Sequence, residues 1–374
     1  MKLALNEYSA LLAFSFVNGL IYSVLFWIRA WREERKSDLI FGFVILASCL
    51  YIMDWMLGFM GIHILGEGLR FFPYEIGFII GPLILFYLKT QLNSYFKFTQ
   101  KDLWHLLPYG IYVLYHLLIF VQGETFVKSW LENTHWPLHF GDIEMILILI
   151  SNLTYLFWAY QLYQQYSKWL PSQFSDTESI SFSWYRRFIL LFALAILVNW
   201  IFTFMIMSGI NLSYTDIWWE KFLVAVIIYY LCLKGYAQVQ SKAIYFKQEE
   251  NTPSIGALTE TQIIDLDLWK TKILTAMQQD KAYLDPNITL TDLSKQLKTH
   301  NSQLSAVINQ GFGKNFNDFI NEFRVNDFQE KIKLPENQRL SLLGIAFDCG
   351  FNSKATFNRA VKKATGKSPK EFGV

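Results

Sequence analysis

Between Arg339 and the C-terminus, Arg339, Lys354, Arg359, Lys362, Lys363, Lys367 and Lys370 face only two acidic residues, Asp348 and Glu371. Such a local excess is the sign expected of a surface that binds phosphate. A second group of polar residues has the opposite setting. Asp54, Glu75, His116, Asn152 and Asn199 interrupt long apolar runs, where an ionisable side chain is costly and often functional. Asp54 is flanked by Ile52, Met53, Trp55 and Met56; an interhelical hydrogen bond and signal sensing are both open to it. Asp54, Glu75, His116 and Asn199 are the candidate signal-sensing positions. His135 and His139 are four apart, as helical metal ligands can be, but Pro137 lies between them and argues against a regular helix. Cys49, Cys232 and Cys349 are isolated, with no Cys/His metal spacing, and read as small buried residues. No metal or cofactor is expected. No hydrolytic, transport, nucleotide-binding or kinase motif is visible, so the chain is not expected to be an enzyme.

The elements that carry these residues follow from composition. The 374 residues are 53% hydrophobic and 18% aromatic, with 17% charged, a mean hydropathy of +0.23 and a formal net charge of +2. A soluble domain ordinarily carries about 25% charged residues. The averages conceal an asymmetry. Charges are sparse between Asp38 and Val239, and apolar runs of about 20 residues recur there, long enough for a ~30 Å hydrocarbon core. From Ser241 onward the composition is that of a soluble domain. The expected fold class is all-α: a polytopic helical membrane bundle, then an all-α domain with two helix-turn-helix units. Seven spans are expected, at about 8–29, 39–60, 72–92, 103–121, 142–165, 187–209 and 215–238. The first is too long for the apolar stretch of a signal peptide and ends in Arg29, Trp31, Arg32, Arg35 and Lys36, so it is expected to stay as a span.

The loops set the expected orientation. One alternate set holds Arg29, Arg32, Arg35 and Lys36, then Lys89, Lys97 and Lys101, then Lys168, Arg186 and Arg187, then Lys234, Lys242 and Lys247. The other holds Lys2, Arg70, Lys128 and Lys221. The positive-inside rule then puts the N-terminus outside and the C-terminal part in the cytoplasm, across a bacterial inner membrane. Trp27, Trp31, Trp130, Trp136, Trp184, Tyr185, Trp218 and Trp219 crowd the span ends. An interfacial belt in contact with lipid accounts for them, and an aromatic ligand pocket near the outer face is the other reading. The longest outer loop, about 122–141, leaves no room for a folded sensor domain. A ligand, of unknown identity, is therefore expected among the helices, from the lipid or from a membrane partner.

Residues 1–238 are thus expected to form a transmembrane sensor domain, 239–264 a linker, and 265–374 a DNA-binding domain. Leu266, Leu268, Trp269, Ile273, Leu274 and Met277 recur at helical spacing. Thr289 followed three residues later by Asp292 is an N-terminal capping pattern for a helix with Leu290, Leu293 and Leu297 inward. A second helix follows from Ser302, with Leu304, Val307 and Ile308 inward, and Gly311 and Gly313 are expected to stop it. A connecting helix, about Asn317 to Lys333, carries Phe319, Ile320, Phe323, Val325 and Phe328. The pattern then repeats: Leu342 to Phe347 make a helix, Cys349 to Asn352 a turn, and Ser353 caps a helix that ends at Thr365-Gly366. Helix, short turn, helix at about 286–313 and again at about 340–366 is the helix-turn-helix pattern, whose second helix enters the DNA major groove.

The run Gly350-Phe351-Asn352-Ser353-Lys354-Ala355-Thr356-Phe357-Asn358-Arg359-Ala360-Val361-Lys362-Lys363-Ala364-Thr365-Gly366-Lys367-Ser368-Pro369 resembles the signature of AraC-type transcription regulators. Leu293-Ser294, Leu304-Ser305 and Phe316 fit the first half of the same domain. The resemblance covers about Asp285 to Phe372; the combination with a seven-span region resembles membrane-bound AraC-type regulators by architecture alone. It implies two recognition helices in adjacent major-groove segments of double-stranded DNA, joined by a stiff helix. Groove-facing positions would be Ser302, Ser305, Ala306 and Asn309 in the first, and Lys354, Ala355, Asn358 and Arg359 in the second. Arg359 would pair with a guanine edge. Asn358 would read adenine or bind phosphate, and Lys314, Lys362 and Lys363 would hold phosphates. One departure is Ala306, where many members carry a long polar side chain. The first recognition helix also has no Lys or Arg between Ser302 and Gly313, which leaves weak reading or apolar contact with thymine methyls.

These readings converge on a membrane-bound, sequence-specific transcription regulator that couples a membrane signal to promoter binding, expected to act as a homodimer and to work with RNA polymerase. Two competitors remain: a membrane receptor whose C-terminal domain binds a protein partner, and a membrane enzyme or transporter with an appended regulatory domain.

Overall fold

A computed structural model describes residues 5–63, 69, 71–177, 183–237, 246 and 265–372. Among these residues the regular structure is helical, with one isolated antiparallel bridge between Phe174 and Thr289; the all-α expectation is met. The expected linker, 239–264, lies outside the described residues except for Phe246. The chain divides into two units, Met1–Tyr163 with Ser183–Lys247, and Gln164–Phe182 with Gln248–Val374.

The first unit contains α1 (Glu7–Arg32), α2 (Lys36–Phe59), α3 (Gly77–Leu92), α4 (Gln100–Phe120), α5 (Glu124–Trp130), most of α6 (Phe140–Gln173), α7 (Ser183–Met207) and α8 (Tyr214–Tyr236). Five of these, α1, α2, α4, α6 and α7, are long and apolar enough to cross a membrane. The expected count of seven is corrected at α3 and α8. α3 has 16 residues, a length of about 24 Å at 1.5 Å per residue, short of a ~30 Å core. α8 has the length, at 23 residues, but carries Asp216, Glu220, Lys221 and Lys234.

α1 illustrates how this unit is built. Asn6 caps it, exchanging hydrogen bonds with Ser9. Its buried stripe, Leu12, Ser15, Gly19, Ser23, Phe26 and Ala30, includes small and polar residues. Its outward stripe, Leu11, Phe14, Val17, Ile21, Val24 and Ile28, is 45% to 57% exposed. A helix packed against water shows the reverse pattern. The small residues permit close approach: a Cβ on Gly19 would lie 2.2 Å from Cys49 Sγ of α2 and 3.1 Å from Ile228 of α8. At the far end Arg29 ties the same three helices together. It pairs with Asp38 at 2.6 Å, donates to the Tyr236 carbonyl at 2.6 Å and lies over the Tyr236 ring.

The second unit contains α9 (Leu266–Gln278), α10 (Leu290–Gln296), α11 (Asn301–Phe312), α12 (Phe316–Lys331), α13 (Leu342–Asp348) and α14 (Lys354–Thr365). It has two apolar cores. Ile273, Met277, Leu290, Leu293, Leu304, Val307 and Ile308 belong to the first, and Ile345, Ala346, Phe351, Phe357 and Val361 to the second. α12 serves both: Phe316, Phe319 and Ile320 enter the first core, Val325 and Phe328 the second. Between them lies Arg324, 1% exposed. It donates to the carbonyls of Tyr283 at 2.8 Å and Asp285 at 2.7 Å. Burial lowers the guanidinium to about 10, opposed by Asp176 and Asp285, so it stays charged at neutral pH.

The segment after α6 belongs to this unit as well. Ser175 donates to the Ile288 carbonyl at 2.8 Å, its own carbonyl accepts from Asn317 at 2.6 Å and Asn321 at 3.3 Å, and its hydroxyl accepts from Arg324 at 3.3 Å. Ser175, Asp176 and Thr177 are all buried. We refer to Phe174–Thr177 as the strap.

Candidate nucleic-acid interface

The first helix-turn-helix is organised by its caps. The Thr289 hydroxyl accepts from Asp292 N at 3.1 Å, and the Asp292 carboxylate accepts from Thr289 N at 3.1 Å, the reciprocal pair expected from their spacing. The turn is stitched by Ser294 donating to Asn301 at 2.5 Å and Asn301 donating to Thr291 at 2.8 Å. α11 then runs to Phe312 and is capped by Gly313 at φ 66°. The expectation that Gly311 also stops this helix is corrected. Gly311 lies inside it, where a Cβ would come within 2.9 Å of Lys270 on α9. With Leu304, Val307 and Ile308 buried, Ser302 and Asn309 are exposed, and Ser305 and Ala306 are half-buried beside them. These four positions share one face by their spacing.

The second helix-turn-helix repeats the design with different side chains. Ser341 caps α13. The turn passes through Gly350 at φ 90°, where a Cβ would sit 2.4 Å from the Tyr283 carbonyl; only glycine fits so near that backbone. Ser353 caps α14 by accepting from Thr356 N, and Gly366 ends it at φ 74°. Thr356, Phe357 and Val361 are buried. Lys354, Ala355, Asn358, Arg359, Lys362 and Lys363 are all exposed. Phe347, grouped in the sequence with the apolar set of α13, is instead 47% exposed.

The cations of the interface are not equivalent. Lys363 pairs with Asp318 of α12 at 2.6 Å, and Lys314 pairs with Glu322. Exposed pairs of this kind are worth little, and phosphate can compete for them. The strap reaches the same helix from behind: the Asp176 carboxylate accepts from Asn352 Nδ2 at 2.9 Å and from Thr356 Oγ1 at 3.0 Å. No sequence pattern pointed to Asp176 or Arg324. Cys349 is buried beside the turn, its thiol pushed up to about 12 by burial, and so is not nucleophilic.

The candidate sensing residues fall on two cavities of the first unit. Asp54, Glu75 and Asn199 line one of about 380 Å³. His116 lines another of about 610 Å³, which Glu75 also borders. His116 Nε2 lies 3.3 Å from Glu144. His135 and His139 line this second cavity too, but each has its own partner, Tyr115 at 3.3 Å and Asp142 at 2.9 Å. Among the described residues no group of three His, Cys, Asp or Glu side chains has metal-site geometry.

Residues 293–373, about a fifth of the chain, match the family model of a helix-turn-helix domain. The C-terminal part therefore carries an AraC-type helix-turn-helix domain. No curated protein and no solved structure matches the chain.

Proposed function

We propose that this protein is a membrane-bound transcription regulator in which α11 and α14 bind adjacent major-groove segments of a promoter. The observation that carries the reading is the AraC-type domain together with the exposed basic face of α14. Arg359 reads a base edge, Asn358 reads adenine or holds phosphate, and Lys354, Lys362, Lys363 and Lys314 supply phosphate contacts. Ala355 lies close to the bases, and Ser302, Ser305, Ala306 and Asn309 of α11 make uncharged contacts. A homodimer on paired half-sites and contact with RNA polymerase complete the reading.

Membrane residence is supported by five helices long and apolar enough to span and by their exposed aliphatic faces. An aliphatic stripe that long is unfavourable in water and natural in lipid. A helix-turn-helix domain needs access to DNA, which supports a cytoplasmic place for the DNA-binding unit in a bacterium. The first unit senses a signal. The strap gives that signal a route, because α6 continues directly into residues whose hydrogen bonds hold the turn and first residues of α14.

The test is genome-wide crosslinking of the full-length protein to DNA in its host, beside Arg359→Ala. A few sharp peaks that vanish in the variant are expected. Absent peaks, or peaks indifferent to Arg359, would shift the assignment to a receptor with a cytosolic protein partner.

A further inference from the structure

The 380 Å³ cavity of the first unit has an unbalanced chemistry. Its one ammonium, Lys221, is already committed, pairing with Glu220 at 2.8 Å. Glu220 is satisfied further by Tyr51, which donates to it at 2.8 Å and itself accepts from Asn199 at 2.8 Å. Asp54 and Glu75 have no such partner: neither makes a hydrogen bond or an ion pair among the described residues. Asn152, 8% exposed, also borders the cavity, and its carbonyl oxygen is buried without a donor. These three groups are all acceptors. Asp54 is half-buried and Glu75 exposed, so a cation can reach both carboxylates.

The remaining wall says what kind of cation fits. Tyr51, Trp55 and Trp200 line the cavity. The protein's own Lys221 shows this wall accepting an ammonium, 3.9 Å from the Tyr51 ring centre and 5.5 Å from that of Trp55. The volume falls at the small end of ligand pockets, ~300–1,000 Å³. A bare metal ion would leave most of that space and the aromatic surface unused.

We propose that this cavity binds a small organic ammonium with an apolar or aromatic tail, its charged end between Asp54 and Glu75 and its tail against the aromatic wall. The ammonium supplies the donors that the two carboxylates lack, and the tail displaces water from the rings. This inference rests on the reading of the first unit as a sensor and names the class of its signal.

Full-length protein in neutral-lipid nanodiscs, titrated with phenethylamine, 2-phenylethanol and phenylacetate, tests it, with the fluorescence of Trp55 and Trp200 as readout. Saturable binding of the amine alone is expected. Asp54→Asn and Glu75→Gln should each weaken it tenfold or more, while Asp54→Glu, which keeps the charge, should retain it and exclude a folding defect. No saturable amine binding, equal binding of the alcohol, or amine binding indifferent to both substitutions would overturn the proposal. Promoter occupancy measured in the same samples separates the two claims: amine binding that leaves it unchanged supports the site and removes only the sensor role.

Discussion

α11 and α14 are each 12 residues long, each ends on a glycine of positive φ, and each buries three side chains. Their outward faces share an alanine and an asparagine but differ in charge. α11 presents Ser302, Ser305, Ala306 and Asn309, whereas α14 presents Lys354, Asn358, Arg359, Lys362 and Lys363. A helix-turn-helix needs a cap, a few inward apolar residues and a terminating glycine; nothing in that list constrains the face turned to DNA. The scaffold is repeated and the chemistry is not. The turns also differ. Gly350 is wedged against the Tyr283 carbonyl, whereas the first turn takes its positive φ at Lys298, 53°. A Cβ at Gly313, which ends α11 as Gly366 ends α14, would meet nothing within 4 Å.

The largest expected effect breaks that asymmetry directly. Gly350→Ala adds left-handed strain to a backbone collision and should cost ~3–5 kcal/mol. Gly313→Ala incurs only the strain, about 1–2 kcal/mol. Denaturant titration of the full-length protein, read by amide exchange across α10 to α14, compares them; equal losses would mean that the Tyr283 contact does not anchor the second helix-turn-helix.

Asp176→Ala should come next. It removes two hydrogen bonds to a buried carboxylate, ~2–3 kcal/mol, and should speed exchange at the amides of Asn352 to Thr356 without changing those of Thr289 to Asn301. Unaltered exchange at α14 would remove the strap from the mechanism.

Within the interface, Arg359→Ala should weaken promoter binding by ~1–3 kcal/mol and relax preference at one base pair. Asn309→Ala should cost about 1 kcal/mol or less. Affinities measured on a crosslinked promoter fragment decide between them, and the opposite ranking would make α11 the principal reader. The smallest effect concerns the lysines. Lys362→Ala should reduce the salt slope of binding by about 1. Lys363→Ala should do less, because Asp318 already holds that ammonium. Asp318→Asn should then steepen the slope, and a flat response would show that phosphate displaces Asp318 without cost.

Local order was legible in the sequence because its causes are local. Thr289 with Asp292, Ser353 with Thr356, and Gly366 at the end of α14 act over three or four residues, so spacing alone locates them. The strap was not legible. Phe174 to Thr177 reads as an ordinary polar connection, and its partners Ile288, Asn317, Arg324, Asn352 and Thr356 lie far along the chain. Arg324 was missed for a related reason: a charged residue in a helical pattern is read as solvated, and only three-dimensional packing supplies the carbonyls that make its burial tolerable. Composition likewise marked Asp54 and Glu75 as unusual, yet nothing in the chain order says that Asp54 lines one cavity, His116 another, and Glu75 both. The span count differs at α3, whose helix has only 16 residues, and at α8, which carries Asp216, Glu220, Lys221 and Lys234; a run of apolar residues fixes neither helix length nor the share of charge.

α12 contributes to both cores, and Arg324 fastens the carbonyls between them. Two recognition helices held in this way cannot swivel independently to follow their target. DNA turns once per 10–10.5 base pairs, so each base pair inserted between the two recognised stretches rotates one past the other by about 35°. Such a protein reads the interval between the words as strictly as their spelling, and a promoter with both words correct and the gap wrong would be silent to it.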